Sequence, residues 1–86
     1  GVKWMTLASE QGNPQAQHNM AYLYYNGHGV KIDKVYAHMW ASIASSNGFE
    51  NSKGLLETLN KEMTPSQIQE AERLARECIK KNYKGC

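Results

Sequence analysis

Displaced by 36 positions, the sequence falls on itself, and that self-similarity limits the fold more than any other feature. Trp4 meets Trp40, Ala8 meets Ala44, Ser9 meets Ser45, Gly12 meets Gly48 and Leu23 meets Leu59. Leu7 with Ile43, Met20 with Leu56, Ala16 with Ser52 and Gln15 with Asn51 pair as similar residues. A period of this length builds arrays of one supersecondary unit, each unit burying its apolar face on the next. With 86 residues the chain is one domain of about two and a half units. Residues 1–12 are the second half of a unit, 13–48 a complete unit, and 49–86 a degenerate unit with its cap.

Within a unit the apolar spacing is helical: Tyr36, Ala37, Trp40 and Ala44 share one stripe. Asp33 stands as N-cap of that helix, and Asn47-Gly48 closes it with a glycine suited to the left-handed end position. Asn13-Pro14 reads as N-cap and first residue of the preceding helix. Met63-Thr64-Pro65-Ser66-Gln67-Ile68 is a capping box closed by a hydrophobic staple. The helix after it carries Ile68, Ala71, Leu74, Ala75, Cys78 and Ile79 on one stripe and charged residues opposite, as a terminal cap requires. Five helices are predicted, near 2–11, 14–25, 33–47, 50–61 and 65–82. Their short connections predict antiparallel pairs.

Tyr24-x-x-Gly27-x-Gly29-Val30-x-x-Asp33, followed by Ala37, Trp40, Ala44 and Gly48, resembles the Sel-one-like repeat family, a relative of the tetratricopeptide repeats. The closing Met63–Ile68 segment and Leu74-Ala75-Arg76-Glu77-Cys78 resemble the C-terminal ending of bacterial members. The resemblance implies an all-α, right-handed superhelix of αα-hairpins, an adaptor role and no catalytic residues. Glu57 departs from it, standing at the small position that Ala21 holds in the complete unit. Close helix packing is not expected there.

Trp4, Trp40, Tyr24 and Met20 fall where neighbouring helices meet and are expected in the core. Gln15, His18, Asn19, Tyr22, Tyr25 and Asn26 step by three and four along the opposite face of the complete unit's first helix, which lines the concave side in tetratricopeptide-like stacks. Amide groups interleaved with tyrosines suit recognition of a protein or peptide. The helix bearing Trp4, Leu7 and Ala8 lacks the partner helix that would precede it, so self-association through that face is expected.

Other chemistries find little support. His18, His28 and His38 include no pair at the spacing of a helical zinc site, and no metal or cofactor is expected. None of Ser9, Ser42, Ser45, Ser46, Ser52 and Ser66 is followed three residues later by the lysine of a penicillin-binding enzyme, which leaves a β-lactamase-like activity a distant alternative. A net charge of +2 argues against a nucleic-acid binder, although Arg73–Cys86 holds five basic residues and one acid. That cationic end is explained by the helix macrodipole. No run is long and apolar enough to span a membrane. The start Gly-Val-Lys is expected to follow an upstream segment that carries any targeting signal. A disulfide between Cys78 and Cys86 is expected, since Asn82 and Gly85 give the turn that brings them together. With it goes a periplasmic or secreted site over a cytoplasmic one, and an envelope or host-interaction factor of the same fold is the alternative to an adaptor.

Overall fold

Each predicted cap forms the bond its residue type allows. The computed structural model describes residues 2–86; Gly1, where the predicted half-unit 1–12 opens, lies outside the described residues. The helices are α1 (Val2–Glu10), α2 (Pro14–Asn26), α3 (Lys34–Ser46), α4 (Ser52–Glu62) and α5 (Pro65–Lys80), with no strand among the described residues. Asn13 accepts from the Ala16 amide at 3.1 Å, and Asp33 from the Tyr36 amide at 3.1 Å. The Thr64 hydroxyl accepts from Gln67 N, while the Gln67 side chain accepts from Thr64 N. Gly27 ends α2 at φ +75°, a conformation that costs a residue with a Cβ about 1–2 kcal/mol. There its amide donates to Leu23 O at 2.8 Å.

α3 is the central helix, packed against α2, α4 and α5, while α1 packs on α2. Close approach of α2 and α3 rests on residues without bulk: Ala21, Ala37, Ala41 and Ala44 are completely buried. Trp40, Met39 and Ile43 fill the space around them, and Leu55, Leu59, Met63, Ala71, Ala75 and Cys78 extend the same core under α4 and α5. The Trp40 indole nitrogen is buried with no acceptor among the described residues. Tyr24 is half-buried and meets Tyr36 edge-on at 5.3 Å between ring centres. The result is an all-α repeat fold in which the α2–α3 hairpin carries α1 on its α2 side and α4 and α5 on its α3 side.

Three expectations are corrected. Trp4 is not core: 66% of it is exposed, with Leu7 at 53%, whereas their repeat equivalents Trp40 and Ile43 are sealed. The physical difference is the covering helix: α2 and α5 close over α3, and among the described residues nothing closes over that side of α1. Ile79 likewise leaves the α5 stripe and is 44% exposed. Finally, α4 and α5 do not pair as a hairpin despite their two-residue connection. α5 lies along α3 instead and makes little contact with α4, whose Glu57 stays in solvent. A carboxylate at the position where Ala21 admits a neighbouring backbone makes close pairing costly.

Candidate functional site

The predicted stripe divides on the structure. Gln15, Tyr22 and Asn26 are exposed, and Asn19 and Tyr25 are half-buried on the open side of α2. His18 turns inward. It is 8% exposed, its Nδ1 lies 2.7 Å from Ser52 Oγ, and its ring is held between Phe49, at 4.6 Å, and the edge of Tyr22, at 4.9 Å. Helical spacing places His18 on the stripe, but the start of α4 covers it. Its burial disfavours the charged form and lowers its pKa from 6.5.

Tyr25 joins the two helices at the other end of the face. Its hydroxyl donates to the Glu62 carboxylate, at 3.0 and 3.2 Å to the two oxygens, and Lys34 Nζ meets the same carboxylate at 3.2 Å. The hydrogen bond to Glu62 raises the Tyr25 pKa, because the phenolate would face a carboxylate. Accepting from Tyr25 and Lys34 lowers that of Glu62. Sequence reasoning passed over Glu62 and Lys34. The available signal was the repeat itself, since Glu62 stands 36 positions beyond Asn26. Thr58 and Lys61, equivalents of Tyr22 and Tyr25, are exposed, so the polar face runs on from α2 to α4.

A second polar array, also missed from the sequence, lies at the opposite end. Gln17 is completely buried; its Nε2 donates to Ser9 O at 3.1 Å and its Oε1 accepts from Asn47 Nδ2 at 2.9 Å. Asn47 Oδ1 in turn accepts from the Tyr83 hydroxyl at 3.3 Å. One chain of amides therefore ties α1, α2, the end of α3 and the C-terminal tail. Cys78 and Cys86 are joined by a disulfide with Cα atoms 5.7 Å apart. Between them Asn82, at φ +55°, takes the left-handed position expected of it, and Tyr83 takes a second, at +66°.

Among the described residues no three His, Cys, Asp or Glu side chains cluster as metal ligands, and no helix is long and apolar enough to cross a membrane. What the arrangement offers is an open, mixed amide, tyrosine and ion-pair surface along α2 and α4, which meet through His18–Ser52 and Tyr25–Glu62. The fold is that of a helical-repeat protein. The Sel1 repeat family model matches residues 1–13 and 14–49, and the chain belongs to that family. No curated protein matches the chain. Sel1 repeats are generally protein–protein interaction modules and typically non-catalytic.

Proposed function

We propose that this chain is an adaptor that holds a protein or peptide partner along the α2–α4 face, through Gln15, Asn19, Tyr22, Tyr25 and Asn26. One observation carries the reading: these side chains stand together on an open surface that is pinned beneath by His18 on Ser52 and at its edge by Glu62, which accepts from both Tyr25 and Lys34. Tyrosines held in place lose little entropy on binding, and the amides supply directional bonds. His18 acts here as a positioning residue and not as a contact. The test is capture of the partner by full-length protein. Tyr22→Ala with Asn19→Ala abolishes retention, while Lys53→Ala on the exposed outer side of α4 leaves it intact. Equal retention by both variants refutes the reading.

The Cys78–Cys86 bond supports placing the protein in an oxidising compartment, periplasmic or extracellular, as an envelope or host-interaction factor. A fusion at the full-length C-terminus to a reporter active only after export tests this. Self-association is a second reading, favoured by the exposed Trp4 and Leu7 side by side on α1. Sedimentation decides it, since Trp4→Ser with Leu7→Ser abolishes any dimer formed through that face.

A further inference from the structure

The C-terminal tail is built as a hook, and only one covalent bond holds it closed. After α5 the chain reverses through Asn82 and Tyr83, both in the left-handed region that side chains with a Cβ avoid. The Tyr83 amide donates to Cys78 O at 2.9 Å, and the reversal lays the Tyr83 ring against Gly12, where an added Cβ would sit 3.5 Å from the ring. Its hydroxyl reaches Asn47 and ends the amide chain that starts at Ser9. Further on, Gly85 N donates to Glu10 Oε2 at 3.4 Å. Asn82, Lys84 and Gly85 are exposed, and both outward hydrogen bonds are long. Tyr83 and Cys86 pack part-buried against the core, and the disulfide adds the one covalent closure to these contacts.

We propose that the Cys78–Cys86 disulfide is a redox latch: oxidised, it holds the 81–86 tail against the end of α1, and reduced, it releases the tail and loosens the 11–13 turn that the tail covers. The two sulfurs are unequal. Cys78 is 1% exposed, while Cys86 is only half-buried and is the one a reductant reaches. The co-reactant is a dithiol. Its thiolate attacks Cys86 Sγ, the Cys78–Cys86 bond breaks, and Cys78 leaves as a thiolate that takes up a proton. The second thiol of the reductant then attacks the mixed disulfide and frees Cys86, which is protonated in turn. The protein gains two electrons and two protons, and the reductant becomes its own disulfide.

The experiment is hydrogen exchange on the 86-residue chain, oxidised, reduced with dithiothreitol, and reoxidised. The amides to follow are those of Gln11, Gly12 and Asn13, which close α1, and those of Asn82, Tyr83 and Lys84. Reduction accelerates exchange at both groups by roughly tenfold or more, as expected when a local closing contact is lost. Reoxidation restores it. Cys86→Ser reproduces the reduced state, and Tyr83→Ala with the bridge intact loosens residues 11–13 alone. Reversible reduction of the unmodified chain serves if a variant does not fold. Acceleration confined to the tail, or none at either group, overturns the proposal.

Discussion

Replacing Gln17 by alanine tests the amide chain as a structural element. Gln17 is wholly enclosed and bonds to Ser9 O and Asn47 Nδ2. Truncation removes both bonds, at about 1 kcal/mol each, and leaves a cavity where the side chain lay. Ser9 O keeps the Gly12 amide at 3.1 Å as a second donor, and half-buried Asn47 recovers part of its loss from water, so neither group is left fully orphaned. The sum is a loss of about 2–4 kcal/mol, a large part of what a domain of this size has. Thermal unfolding followed by circular dichroism should show Tm lower by roughly 10–25 °C. Gln17→Met refills the space without the bonds and is expected to lose only about 1–2 kcal/mol. In a cycle with Asn47→Ala the two losses should fail to add, by about 0.5 kcal/mol or more, since both break the same bond. A loss under about 1 kcal/mol for Gln17→Ala, or strict additivity with Asn47→Ala, refutes the reasoning.

Acidification weakens the fold through His18, whose pKa burial lowers from 6.5. The unfolded chain then binds a proton more readily than the folded one, so this contribution is full above 6.5 and is lost as pH falls below it. Urea midpoints measured downward from neutrality check the sign, and a midpoint that rises contradicts it. Thr64→Ala removes half of the capping box and is expected to cost about 1 kcal/mol, with Thr64→Ser nearly neutral, by urea denaturation. Trp4→Ser should change stability by under about 0.5 kcal/mol and Trp40→Ser by about 3 kcal/mol or more, although both replace the same residue of the repeat. Equal losses at the two positions would show that α1 is covered.

Features decided within a few residues were legible in the sequence. Asn13-Pro14, Asp33 and the Thr64–Gln67 box act on the backbone beside them, and each sits where its spacing put it. Burial is decided by whatever helix lies over a residue, and there the repeat misled: Trp4 and Trp40 are one position of the unit in two environments. His18 failed for the converse reason, since a helical wheel of α2 contains no information about the start of α4. Gln17 gave no periodic signal because it is a polar residue among core positions, and its partners lie 8 and 30 residues away. The separation of α4 from α5 was written in Glu57, while the two-residue connection pointed the other way.

The hook gives this stack an unusual order of assembly. In a repeat array each unit touches its neighbours, contacts are local, and the structure can grow as the chain leaves the ribosome. Here residue 85 returns to residue 10 across 75 positions, and residue 83 to the ends of α1 and α3. The end of α1 therefore gains its contacts with the tail only once residues 83–86 have been made. Before that, the packing of α1 among the described residues is with α2. Closure of the Cys78–Cys86 loop requires residue 86 itself, so the bond marks a chain translated at least that far.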